Sequence, residues 1–439
     1  METQVSAQPI KSRFSTFSLI WFGQTISLLG SGLTSFALGV WVYQTTGEVT
    51  SYALIALFTV MVTLLLSPVS GALVDRWNYR NVMLASDAAS ALTTLVIAAL
   101  FYTGKLELWH IYVSVAVTAG FATFQQPAYA ALISRLVPAE QLGRASGMVQ
   151  IGLAVSDLFA PLLAGMLIVQ INLSGVFLID FSTFLFAVAT LVLVNLSAQA
   201  KPVSSVRDAK WDVRGLLRET RFGWRYVAAR PGLLGLLAYL AIANFANGMI
   251  NSILVPMLLH LTSAETIGLI ISIAGGGMFV GSLIMSAWGG PRRRIRGVLV
   301  SEVIKGLGII LIGLRPEAWL VALGAIVAHF TIPFSAASNQ AIWQMKIPQE
   351  MQGRVFAIRQ MVSRSITPLA YLLAGPLADH VFEPLMRSPQ GFFAAVGRVV
   401  GTGAGRGMGL LFSLMGAVIA VAAMTGMFVP AIRNVEEDS

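Results

Sequence analysis

The 439 residues are 56% hydrophobic and 11% charged, with a mean hydropathy of +0.76, too apolar for a soluble fold of this size to cover with polar surface. A net charge of +9 and a pI near 10.0 would point to nucleic acid in a soluble protein, but in a lipid-embedded chain the placement of charge reports topology, and no nucleic-acid partner is expected. Cysteine is absent, which excludes disulfide, iron–sulfur and thiol chemistry.

Taken from the N-terminus, METQVSAQPIKSRF has neither an apolar core nor a small-residue cleavage site, so no cleaved leader is expected. Apolar stretches, each about the 18–25 residues a helix needs to cross the hydrocarbon, then follow at 17–43, 52–74, 81–103, 108–134, 145–170 and 174–196. They predict a six-helix bundle over 1–196. Residues 197–231 read as a cytoplasmic linker, polar and then amphipathic. Leu216, Leu217, Phe222, Trp224 and Tyr226 are expected on the membrane surface, with Arg214, Arg218, Arg221 and Arg225 meeting anionic head groups. Six more stretches, 232–259, 266–288, 297–314, 318–343, 355–376 and 408–430, predict a second bundle over 232–439. The segment 377–407 between the last two ends in GTGAGRG, whose Gly-x-Gly follows no strand and reads weakly as a nucleotide site. The runs are continuously apolar and too long for alternating strands, so the fold class is an all-α membrane protein of twelve spans.

Basic residues sort these loops. Lys11, Arg13, Arg76, Arg80, Arg135, Arg144, the cluster from Lys201 to Arg230, Arg292 to Arg296, Lys346, Arg354, Arg359 and Arg433 fall on one side. Lys105, Arg315, Arg387, Arg398 and Arg406 fall on the other. The asymmetry predicts both termini in the cytoplasm.

The chain is also a duplication. VPAEQLGRASGMVQIGLAVSDLFAPLLAG at 137–165 overlays IPQEMQGRVFAIRQMVSRSITPLAYLLAG at 347–375 at an offset of 210, and the register extends upstream to Gly71 and Leu73 on Gly281 and Leu283. Parallel halves of this kind point to a transporter with its substrate site between them, near the bilayer midplane. Ionisable groups at membrane depth are candidates for function by default. Asp157 in the fifth span and Arg364 in the eleventh are expected near the midplane, one helical turn apart under the repeat, as a pair that protonation of Asp157 would release. His329 is a lesser relay candidate. Asp87 and Asp180 read as structural, and Glu302 and Lys305, three apart, satisfy each other.

GALVDRWNYR at 71–80 resembles the signature of the major facilitator superfamily, Gly-x-x-x-Asp-Arg-x-Gly-Arg-Arg/Lys. Gly71, Asp75, Arg76 and Arg80 match, while Asn78 and Tyr79 depart. The resemblance implies that Asp75 braces the eleventh helix, taken to begin at Gly353 and Arg354, as a cytoplasmic latch that Arg144 joins. The second half has Met285 at the matching place, so the latch is one-sided. Gly147, Ser156, Ala160, Pro161, Ala164 and Gly165 resemble a degenerate antiporter motif of the exporters in this superfamily. Small residues permit close helix contact and the proline a bend. FQQPAYAALISRLVPAEQLGRASG, FLIDFSTFLF, GWRYVAARPGLLGLL and PLAYLLAGPLADHVFEPLM are similar to the macrolide-efflux and enterobactin-exporter branch of the drug:proton antiporters. The fourth span, YVSVAVTAGFATFQQP, lacks the mid-helix Arg of better-known members.

The resemblance implies a cavity lined by spans 1, 4, 7 and 10, with Gln24, Phe36, Phe121, Gln125, Gln126, Asn244, Phe245, Asn247, Asn251, Asn339, Gln340 and Trp343 as its wall, which suits bulky amphipathic ligands. The expected function is proton-coupled efflux of a macrolide, siderophore or peptide-like metabolite by a monomer that needs no cofactor or metal beyond the proton gradient. A lipid or lysolipid flippase, an uptake symporter, and a non-transporting sensor or scaffold remain as alternatives. No catalytic constellation is present: there is no paired Asp-rich motif, no Ser–His pair and no nucleotide-binding Lys loop.

Overall fold

The computed structural model describes residues 10–74, 76–138, 141–194 and 213–437. Among these residues every regular element is helical: α1 Ile10–Thr46, α2 Val49–Val74, α3 Tyr79–Tyr102, α4 Leu108–Leu136, α5 Leu142–Leu193, α6 Val213–Ala228, α7 Pro231–Leu259, α8 Ala264–Trp288, α9 Arg294–Leu314, α10 Ala318–Lys346, α11 Gln349–Ser365 and α12 Thr367–Leu377. A π-helical turn at Ala378–Phe382 follows, then α13 Glu383–Arg387, α14 Phe392–Val400, α15 Arg406–Phe428 and α16 Pro430–Arg433.

Nine of the helices among the described residues are long and apolar enough to cross a membrane by length and composition. One of them carries two predicted spans. At 52 residues α5 would run on the order of 78 Å if straight, more than twice the hydrocarbon thickness. The loop expected between spans five and six is instead a single residue, Asn172, whose φ of 58° and ψ of 179° break the helix. With ψ near 180° this lies outside the left-handed basin that asparagine visits readily, so Asn172 is held there by the packing of the two flanking helices. The eleventh span is not continuous either. Pro368 lacks the N–H that would bond the Arg364 carbonyl, and the helix divides into α11 and α12 around Ile366. Its start also moves: Pro348 is the N-cap and α11 begins at Gln349, so Gly353 and Arg354 lie in its second turn rather than at its origin.

Two compact units emerge, Met1–Trp41 with Phe58–Lys210, and Val42–Leu57 with Trp211–Ser439. The tip that joins α1 to α2 therefore counts with the second unit. In the first unit Phe17, Ile20, Met83, Leu132, Leu136 and Leu191 form an apolar core between helices. Ser156 and Ala160 of α5 serve close packing against α1, since Ser156 Oγ donates to Leu28 O at 3.0 Å and a Cβ on Gly32 would lie 2.6 Å from that of Ala160, whereas a Cβ on Gly147 would meet nothing within 4 Å. In the second unit Leu233, Leu236, Ile295, Val298, Ile342 and Trp343 make the core. There α9 and α15 meet at backbone distance, since a Cβ on Gly306 would stand 2.6 Å from Gly416 O. Around both cores lies an apolar surface, with Leu65, Leu92, Leu193, Phe279 and Leu307 all more than half exposed, as a lipid solvent demands.

Within the second unit, the segment 377–407 is a stapled cap and not an open loop. The Glu383 carboxylate accepts from Gly405 N at 3.1 Å and Met408 N at 2.9 Å, closing the N-terminus of α15. Arg406 donates through Nε to Val400 O at 2.8 Å and through a terminal nitrogen to Gly313 O at 2.7 Å. Gly401, Gly403 and Gly405 have φ of 92°, 110° and 80°, so the glycines of GTGAGRG serve this turn.

Candidate functional site

The first unit carries an open-sided cavity of about 480 Å³ built from α1, α3, α4 and α5. Its walls are mainly apolar and aromatic, with Trp21, Leu28, Tyr129, Ile133, Leu153 and Phe184. A short polar stripe on α3, Asp87 and Ser90, enters it together with Gln24, Gln125 and Gln126. Asp87 is 2% exposed and closes a triangle of hydrogen bonds. Gln24 Nε2 donates to its Oδ2 at 2.9 Å, Gln125 Nε2 donates to its Oδ1 at 2.7 Å, and the same Gln125 nitrogen donates to Gln24 Oε1 at 3.1 Å. The two glutamines are thus oriented by one another as well as by the carboxylate. Trp21 is fixed in the wall by donation from Nε1 to Met148 O at 2.6 Å.

Of the residues expected to line a cavity, Gln24, Gln125 and Gln126 are brought together here. Phe121 is exposed and lines a neighbouring pocket with Trp77 and Phe124. Phe36, Phe245 and Asn247 are half-buried and Asn251 is exposed. In the second unit the predicted amides are engaged between or along helices. Asn244 Nδ2 donates to Ser363 O at 2.9 Å, Asn339 Oδ1 accepts from Trp343 Nε1 at 3.1 Å, and Gln340 Oε1 accepts from Arg359 at 2.9 Å. Trp343 is fully buried in the core beneath the Arg359 guanidinium rather than exposed on a wall.

Asp87, expected to be structural, is the cavity's carboxylate. The signal was the polar spacing Asp87, Ser90 and Thr94 within an otherwise lipid-like span, which puts three polar groups on one face of α3. Asp180 is also buried and accepts from Thr94 Oγ1 at 3.1 Å, away from the cavity wall. Asp157 on α5 and Arg364 on α11 are exposed. His329 is half-buried and donates through Nδ1 to Ala325 O of its own helix at 2.9 Å.

The 71–80 motif folds around its departures from the superfamily pattern. Asp75 lies outside the described residues. Asn78 is the N-cap of α3, its Oδ1 accepting from Arg80 N at 3.0 Å and Asn81 N at 3.4 Å, which supplies the turn. Tyr79 is buried in the core, with the Arg135 guanidinium 4.7 Å above its ring, so a cation arrives from α4 where the usual motif has its own. Arg80 donates to Leu191 O and Val192 O, both at 3.0 Å, and ties the motif to the C-terminal end of α5. Arg144 lies over the Phe14 ring at 5.0 Å.

Comparison with known proteins agrees with this architecture. The chain is 24% identical over 376 residues to macrolide efflux protein A of Streptococcus pyogenes, covering 83% of this chain and 90% of that one. It is 24% identical over 374 residues to the multidrug efflux pump Tap of Mycolicibacterium fortuitum, covering 82% and 88%. Among solved structures, an inward-facing bacterial homologue of the human lysosomal transporter Spinster superposes with a TM-score of 0.69 at 14% identity, over 98% of this chain and 99% of the other. The family model described as Major Facilitator Superfamily matches residues 20–371, and the chain is a member of that superfamily of multi-pass membrane transporters.

Proposed function

We propose that this protein exports a bulky amphipathic small molecule across the bacterial inner membrane in exchange for protons, by alternating access. It would act as a monomer with both termini cytoplasmic, α6 resting on anionic lipid and no bound cofactor. The observation that carries the reading is the first-unit cavity: apolar and aromatic walls give a large ligand area without strict geometry, and a few amides and one carboxylate orient it. Similarity to a macrolide efflux protein and to multidrug pumps supports the direction and the ligand type.

In this scheme Asp87 gives its proton to the cytoplasm before substrate binds and is reprotonated from outside as substrate leaves, so the two ligands share one carboxylate. Asp157, with Arg364 and His329, stands as a second coupling group because carboxylates at membrane depth are scarce. Everted membrane vesicles test the proposal. A macrolide should accumulate inside when the lumen is acidified, beyond the amount that protonation traps in vesicles lacking the protein, and nigericin should abolish the difference. Accumulation indifferent to the pH gradient would remove proton coupling, and none under any gradient would remove export. Asp157→Asn should abolish uphill accumulation and leave macrolide binding intact.

A further inference from the structure

The Asp87 carboxyl is buried with amide donors around it, and no ion pair to it is found among the described residues. Among the described residues lining the cavity there is no lysine, arginine or histidine. A lone carboxylate in an apolar cavity is stable with a proton on it or a cation against it, and amide donors offset only part of its desolvation. Two of its acceptor positions are taken by Gln24 and Gln125, which leaves room for another donor on the same group.

The chemistry of that donor is narrow. A calcium ion takes 6–8 oxygens, whereas this site offers one carboxylate whose oxygens already hold amide hydrogens. No group of His, Cys, Asp and Glu able to hold a metal ion occurs among the described residues. Space and wall chemistry instead fit an organic ion. The cavity's volume is about 480 Å³, and the rings of Trp21, Tyr129 and Phe184 offer both apolar area and π-faces to a cation. Among the described residues the buried Tyr129 hydroxyl has no hydrogen-bond partner, so it is able to donate to a polar group placed in the cavity.

Resting on the proposed efflux function, we infer that Asp87, held by Gln24 and Gln125, is the recognition site for an organic cation whose apolar body lies against Trp21, Tyr129 and Phe184. The substrates are then lipophilic cations, among them protonated amines, and Tyr129 donates to an oxygen on those that carry one.

The test uses the full chain in nanodiscs, with radiolabelled tetraphenylphosphonium as probe and neutral triphenylphosphine oxide as competitor. In the unsubstituted protein the phosphonium should bind, and the oxide should displace it at least tenfold more weakly than unlabelled phosphonium does, as loss of a charge pair worth on the order of 1.4 kcal/mol would give. Asp87→Asn should weaken phosphonium binding about tenfold and erase the difference between the two compounds. Asp87→Glu should keep the charge preference, as should Asp180→Asn, whose carboxylate lies off the cavity wall. Equal affinity for cation and neutral analogue in the unsubstituted protein overturns the inference without any variant having to fold, and so does unchanged phosphonium binding in Asp87→Asn. The two readings fail separately: gradient-driven macrolide accumulation without charge preference removes this site and leaves export, while charge preference without accumulation removes export and leaves the site.

Discussion

Each unit buries a carboxylate on its third helix, α3 or α9, and resolves it differently. In the second unit Glu302 sits 3.5 Å from Lys305 on the same helix and accepts from Ser335 Oγ at 2.6 Å, with both charged residues under a tenth exposed. In the first unit, among the described residues, Asp87 accepts from two amides, those of Gln24 and Gln125. The repeat makes the contrast sharper. At the offset of 210, Gln125 falls on Ser335, so one position on the fourth helix of each half supplies a donor to the local carboxylate. Asp87 falls on Gly297 and Lys305 on Leu95, so the neutralising cation has no counterpart in the first half. A duplicated scaffold has kept the donor and divided the charge: one carboxylate closed off by its own lysine, one left open to a cavity.

The largest effect should come from opening the closed pair. Lys305→Met leaves Glu302 buried without its cation, and should cost about 3–5 kcal/mol in a detergent-titrated unfolding measurement. Glu302→Met together with Lys305→Met should recover most of that loss, because apolar replacement of both partners is close to neutral. If the single substitution is silent, Glu302 is not held by Lys305 and the contrast between the units dissolves.

Gln125→Leu probes the open site. It removes a donor from a charged acceptor and the bond that orients Gln24, so a loss of about 1.5–3 kcal/mol is expected, with macrolide accumulation in everted vesicles falling in parallel. Ser335→Ala, at the matching place in the other half, should cost stability and leave accumulation by the folded fraction intact. Equal loss of accumulation in both variants would put the second-unit cluster in the transport path as well.

Much of this architecture was legible because lipid enforces it. Long apolar runs follow from the cost of leaving backbone groups unpaired in hydrocarbon, and with their basic flanks they predicted the membrane-spanning helices, while the superfamily was legible through the resemblance of the 71–80 motif. Partners distant in sequence were not legible. Nothing near Asn78 announces that Arg135 will cover Tyr79, and nothing near Asp87 announces Gln24 and Gln125 as its partners, although its polar spacing with Ser90 and Thr94 was visible. The partners of the α7 and α10 amides were equally illegible: a polar residue in a span must be satisfied somewhere, and Asn244, Asn339 and Gln340 bond neighbouring helix groups.

The units also close helix ends with opposite charges. In the second, the Asp379 carboxylate accepts from Val49 N at 3.0 Å, Thr50 N at 2.9 Å and Thr50 Oγ1 at 2.7 Å, capping an α2 whose first turn has no acidic residue. A π-helical turn, which inserts an extra residue per turn, sets Asp379 at this point. Asp379→Asn keeps the size and presents a donor to donors, so about 1–2 kcal/mol should be lost and the amides of 49–52 should exchange faster with deuterium. Unchanged exchange there would mean that the cap is not what holds this end of α2.

The smallest effect is expected where the first unit uses a cation for the complementary task. Arg80 places its guanidinium against the carbonyls of Leu191 and Val192 at the C-terminal end of α5, where the helix dipole is negative and the carbonyls have no partner within the helix. Two nitrogens of one planar group reach two successive carbonyls, a geometry that a single ammonium cannot reproduce. Arg80→Lys keeps the charge and loses one bond, so the cost should be about 0.5–1.5 kcal/mol, less than at Asp379 because the Val192 contact is solvent-exposed. Arg80→Met loses charge and fork together and should cost more than the lysine variant, with faster exchange confined to the last turn of α5. If lysine and methionine cost the same, the fork and not the charge closes this helix; if neither costs anything, the motif's arginine serves topology alone.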